Sequence, residues 1–192
     1  MFPVIGLMIS ADNSSSPRGF RLFAYRLVRS ARFDGALFRS LREDSGATMQ
    51  SVVALALAGL SVGLGFSASI GANLYGVLLG GAVGIGLGLI VGFLWLSLTY
   101  VVVTRLFKST SSYWSLGRPI FFASSPALLL LLMLIAGSDI ASIIYDVGLV
   151  WVAVLNVYAI KNAIGFEYQK SFLTFIIVAF ILLVGYGLAT SI

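Results

Sequence analysis

The chain of 192 residues contains no cysteine and no histidine. Without cysteine there are no disulfides, thiol nucleophiles or thiolate-bound iron–sulfur clusters; without histidine as well, ordinary zinc and haem ligation and imidazole-activated nucleophiles are excluded too. The expectation is a protein that is not an enzyme and holds no metal and no cofactor. Charge is scarce: Asp, Glu, Lys and Arg make up 10% of the chain, against roughly 25% in a soluble domain. Hydrophobic residues make up 59%, the mean hydropathy is +1.05, and residues 45–104 contain no charged side chain at all. A run of that length exceeds two bilayer crossings of about 20 residues each.

Five spans fit the pattern, at 47–66, 77–104, 119–136, 142–160 and 171–190, with "SASIGANLYG" (67–76) as the polar turn inside the long run. Lipid offers no hydrogen bonds to open backbone, and no segment alternates as barrel strands do, so the spans are expected to be helices. The fold class expected is all-α, a polytopic membrane protein with five transmembrane helices and an N-terminal basic amphipathic interfacial helix. It divides into a flexible tail (1–17), a cytoplasmic helical segment (18–45) and a five-helix transmembrane domain (46–192).

The twelve Lys and Arg residues fall in three places: seven before span one, then Arg105, Lys108 and Arg118 between spans two and three, and Lys161 and Lys170 between spans four and five. Five crossings put all three on one side, which sets the N-terminus in the cytoplasm and the C-terminus outside. Tyr75, Tyr100, Tyr145, Tyr158 and Tyr186 fall near span ends, whereas Trp95 and Trp151 do not and read as packing residues.

Span two carries glycine at every fourth position, at Gly76, Gly80, Gly84, Gly88 and Gly92, with Gly81 and Gly86 added. Lipid tails are as apolar as leucine, so helices in a bilayer associate through close backbone approach, which small residues permit. Ala54, Ala58, Gly59 and Gly63 of span one offer a matching surface. A tight hairpin of spans one and two is expected; a small-solute path lined by the same residues is the alternative. "GLSVG" (59–63) matches the hydrolase nucleophile pattern, but Ser61 has no histidine to activate it and reads as packing.

Asp146 lies about one turn into span four, with Asn156 further along. An ionisable group inside a span is a functional candidate because burying it is costly; Asp146 lies close enough to the outer interface to stay wet and reads as an interfacial structural residue, with transport coupling through Asp146 and Asn156 as the alternative. Pro126 within span three should kink it, with Ser124 and Ser125 supplying local hydrogen bonds.

"MFPVIGLMIS" is too short for a span and lacks the basic start of a signal peptide. From Phe20 the pattern turns helical: Phe20, Phe23, Leu27, Ala31, Phe38 and Leu41 share one face, and Arg18, Arg21, Arg29, Arg32 and Arg39 gather opposite. Asp34-Gly35 divides the segment. A basic amphipathic helix beside a span reads as lying against anionic headgroups or a partner protein, whereas nucleic-acid binding would leave the apolar face in water.

"FDGALFRSLRED", "TYVVVTRLFKSTSSYWSLGRPIFFASSP" and "VWVAVLNVYAIKNAIG" resemble the Yip-domain family, the Ypt/Rab-interacting five-span membrane proteins, from about residue 32 onward. The resemblance implies five helices, termini on opposite sides and, in eukaryotic members, binding of small prenylated GTPases during vesicle traffic. The acidic-aromatic stretch of those members is missing here, with 33–37 loosely in its place, so the resemblance points to a prokaryotic-like branch and does not carry small-GTPase binding over. The reading is a non-enzymatic membrane scaffold or adaptor whose partners are the lipid bilayer and other membrane proteins or a homo-oligomer. The alternatives are an accessory subunit of a respiratory or photosynthetic membrane complex and a small transporter or channel component.

Overall fold

The structure, a computed structural model, describes residues 17–136 and 138–191; the tail expected at 1–17 lies, apart from Pro17, outside the described residues. Among the described residues all regular structure is helical. Two short helices, α1 (Pro17–Ala31) and α2 (Gly35–Glu43), precede α3 (Thr48–Ser69), α4 (Leu74–Val101), α5 (Tyr113–Phe122), α6 (Ser138–Ile164) and α7 (Tyr168–Thr190). Five stretches are long and apolar enough to cross a membrane: Ser45–Ser69, Leu74–Leu106, Tyr113–Leu134, Asp139–Ile164 and Tyr168–Leu188. This matches the five spans read from the sequence, and the protein has the architecture of an integral membrane protein.

Local chemistry sets the boundaries. The Asp34 carboxylate accepts hydrogen bonds from the Ala36 and Leu37 amides and so caps α2, while Asn73 caps α4 through the Gly76 amide and Ser112 caps α5 through the Ser115 amide. Between spans one and two the chain reverses at Gly71, whose φ of +74° suits a residue without Cβ. The polar turn expected there narrows to 70–73. Span two ends in a π-helical stretch, Val102–Leu106.

Span three sits at the centre of the bundle and is the most buried of the five. Its core side chains include Leu116, Ile120, Phe121, Phe122 and Leu130. It changes character at the proline: α5 stops at Phe122, and Ser125–Leu134 continues as a 3-10 helix. Pro126 lacks the amide that an α-helix would use there, and the tighter winding follows. Ser124 supplies a local hydrogen bond, its hydroxyl donating to the Phe121 carbonyl at 2.6 Å. Ser125 does not; its hydroxyl lies 2.8 Å from that of Ser30, which ties α1 to span three.

The α1–α2 pair packs on the bundle beside α5 and α6. Leu37, Phe38 and Leu41 are buried, Phe23 and Leu27 pack against the same cluster, and Phe23 meets Phe122 with ring centroids 6.2 Å apart. Phe20, expected on that face, instead points outward and is 73% exposed. Spans two and five expose most of their surface, and α7 loses contact with its neighbours toward its end, where a Cβ on Gly185 or Gly187 would meet nothing.

Candidate functional site

Two features stand out, a basic layer at one end of the bundle and an apolar cleft within it. The basic layer joins the three segments that hold the Lys and Arg residues. Arg39 donates to the Asn162 side chain at 3.0 Å, Phe107 and Phe166 pack with centroids 5.5 Å apart, and the Lys161 ammonium lies 3.5 Å from the Tyr168 ring centroid. Arg118 fastens the layer to the bundle. Only 8% exposed, it donates to the Thr48 hydroxyl at 3.0 Å and to the carbonyls of Leu41 and Arg42 at 3.2 and 2.8 Å. Those carbonyls belong to the last turn of α2, where the helix leaves acceptors unpaired and presents its negative end, so one cation answers both needs. Trp151 adds a second tie, its indole NH donating to the Ala31 carbonyl at 3.1 Å.

The arginines expected to face headgroups divide into two groups. Arg21, Arg32 and Arg39 are exposed, whereas Arg29 is ion-paired with Asp34; of the arginines outside that set, Arg42 is exposed and Arg26 is ion-paired with Asp44. Arg18 lies on the first turn of α1. Partial burial pushes the Asp34 carboxyl up, but the Leu37 amide and the Arg29 guanidinium outweigh it and hold the group below its ordinary value. The same contact holds Arg29 above its own, against the opposing effect of burial.

The glycines of span two divide as well. Gly84 and Gly88 face Gly59, Gly80 and Gly84 face Gly63, and a Cβ on Gly84 would lie 2.8 Å from the Gly63 Cα. Gly92 is packed against the Leu55 side chain. Gly76 is not at this contact: it begins α4, beside Ala72 and Asn73. Gly86 points away from every neighbour.

Beside the close contact opens a cleft of about 820 Å³ between the α3–α4 hairpin, span three, α6 and α7. Val83, Leu87, Phe121, Tyr145, Val152 and Phe175 are among its lining residues, and none of the lining residues is charged. Trp95 and Asn156 also line it. The Trp95 indole NH and the Asn156 Oδ1 are buried atoms without a hydrogen-bond partner. Trp95, read from the sequence as packing, packs against Phe175 with centroids 5.1 Å apart.

The structure does not bring Asp146 and Asn156 together. Ten residues of α6 separate them by about 15 Å along the axis, and Asp146 is exposed while Asn156 is buried in the cleft wall. Ser61 sits mid-helix in α3, donating to the Leu57 carbonyl at 2.7 Å, which is no geometry for a nucleophile elbow. Sequence reasoning missed Arg118 as the anchor of α2 and Trp95 as a cleft residue. The signal for Arg118 was its position directly before "PIFFA", a cation at the start of the most apolar packing surface. Compared with known proteins, the chain matches no family model, no curated protein and no solved structure.

Proposed function

We propose that the protein is a non-enzymatic integral membrane scaffold or adaptor of Yip-domain type, which holds an arginine-bearing helical layer at the cytoplasmic surface and organises lipid or partner proteins there. The observation that carries this reading is the fastening of α1 and α2: Arg118, Trp151 and Ser125 bind the pair to spans three and four, while Arg21, Arg32, Arg39 and Arg42 remain outward. A layer needed only to fix topology has no reason to be pinned by a buried cation. In this reading α1 lies in the inner interface, the glycines of spans one and two act as a packing zipper, and each arginine near anionic lipid contributes about 1 kcal/mol of attraction. The N-terminal segment is cytoplasmic and the end of α7 lies outside, as the one-sided distribution of Lys and Arg supports.

Purification in mild detergent followed by mass analysis tests the reading. The expected outcome is a free protein or homo-oligomer that retains anionic lipid or a partner, with retention lost when Arg21, Arg32 and Arg42 are changed together to Gln. Fixed stoichiometry within a large complex, indifferent to those changes, would favour the accessory-subunit alternative. A defined turnover abolished by Asp146→Asn would overturn the non-enzymatic reading. The cleft favours one second reading, a small transporter component, for which solute flux into liposomes is the measurement.

A further inference from the structure

A second groove, of about 220 Å³, runs between α6 and α7, back to back with the large cleft, with which it shares Ala153 and Phe175. Val154, Val157, Tyr158, Tyr168 and Phe172 form the rest of its walls, and none of the lining residues is charged. It is open to lipid: Val154, Tyr168 and Phe172 are 50%, 55% and 57% exposed. It begins at Tyr168, where span five starts, and reaches Phe175 about 10 Å further along the axis, the depth of the upper part of an acyl chain. Cations stand at that starting end. The Lys161 ammonium lies 3.5 Å from the Tyr168 ring centroid. Arg39 Nη1, the Tyr158 hydroxyl and Asn162 Oδ1 all lie within 3.3 Å of one point, the place a Cβ on Gly35 would take. Arg39 gives one donor to Asn162, and neither Arg39 nor Lys161 forms an ion pair among the described residues, although Glu43 and Glu167 stand in the same layer.

We propose that this groove holds one acyl chain of an anionic glycerophospholipid of the inner leaflet, with the headgroup phosphate beside Lys161 and Arg39. The two parts of the site suit the two parts of one molecule. Uncharged walls that face the bilayer take hydrocarbon, and two cations without a carboxylate partner favour a headgroup of net negative charge. Both cations act without being bridged by one phosphate, because attraction between charges at the membrane surface extends over a Debye length of about 8–10 Å. The Tyr158 hydroxyl, which lines the groove and lies beside Arg39, is a further donor at the same end. A free phosphate would leave the apolar walls unused, and a zwitterionic lipid would gain little from the cations. The inference rests on the placing of the basic layer at the inner membrane surface, and it adds where along that layer a lipid is held.

The test uses the full chain in phosphatidylcholine vesicles with two photoactivatable probes, phosphatidylglycerol and phosphatidylcholine, each carrying a diazirine in the upper half of one acyl chain. The expected result is labelling of residues 153–158 and 168–175 by the anionic probe about fivefold above the zwitterionic one, the factor that about 1 kcal/mol supplies. Arg39→Gln and Lys161→Gln should each bring the anionic probe down toward the zwitterionic level at these residues. If Lys161→Gln does not fold, Arg39→Gln, at an exposed position, decides alone. Millimolar inorganic phosphate should leave the labelling in place when compared with chloride of equal ionic strength; displacement by phosphate would overturn the choice of a lipid. Equal labelling by both probes in the unaltered protein would overturn the proposal, as would crosslinks between two copies across the groove in place of probe labelling. Changing Arg21, Arg32 and Arg42 together separates this site from the layer as a whole. Groove labelling that survives those three changes supports the site even where retention of a partner is lost, whereas groove labelling that falls with those three and not with Arg39 or Lys161 would overturn the site and leave the scaffold reading standing.

Discussion

The guanidinium of Arg118 donates to the main-chain oxygen of Arg42 across 2.8 Å, so a cation of span three closes the end of α2. Replacing Arg118 by Met keeps the stem and removes every donor. The Leu41, Arg42 and Thr48 oxygens are left without it, and a buried acceptor stripped of its partner costs about 1–3 kcal/mol. Arg118→Met should lower the melting temperature in detergent and speed trypsin cleavage at the exposed Arg32. Unchanged cleavage would show that the layer is held by its apolar face alone.

Span two contains its own control. Gly84→Ala drives a methyl against the backbone of Gly59 and Gly63, where no flexible side chain can give way. Overpacking of that kind costs about 1–3 kcal/mol. Gly86→Ala meets nothing within 4 Å and should instead stabilise the helix by up to about 1 kcal/mol. Thermal unfolding of the two variants should therefore move in opposite directions, and equal shifts would deny the close contact of spans one and two.

Asp34 links the layer to pH. Its carboxyl titrates below the ordinary 3.8 in the folded protein, so the stability it lends is complete above that value and is lost as pH falls through the lower, folded one. Acid should therefore weaken docking of α2 below about pH 4, and Asp34→Asn should flatten that part of the profile while keeping a serviceable cap. Thermal unfolding in detergent between pH 3 and pH 7 follows the change. A profile identical in the variant would place the acid sensitivity elsewhere.

The spans were legible because their cause is local: long runs without charge have one stable arrangement in lipid. The glycine contact was half legible, since a four-residue spacing marks a ridge but does not say where it begins and ends. Gly76 shares the spacing and still serves the turn, because Asn73 caps the helix there. The helical break at Pro126 was legible from proline's missing amide, but the bond from Ser125 to Ser30 joins residues far apart in sequence and leaves no periodic trace. The same holds for Arg118, counted in the sequence as one more loop cation, and for the cleft, whose polar pair comes from spans two and four. Asp146 is exposed, as its place near the outer end of span four implies.

The arrangement of the basic layer on one side of the membrane is open to one direct measurement. The chain has no cysteine, so single cysteines placed at Ser40, Thr110, Ile70 and Ser191 can be labelled in intact cells with a membrane-impermeant maleimide. Ile70 and Ser191 should react from outside, and Ser40 and Thr110 only after the membrane is opened. Reaction of Ser40 and Ser191 from the same side would contradict the five-span, inward-facing arrangement and the scaffold proposed on it.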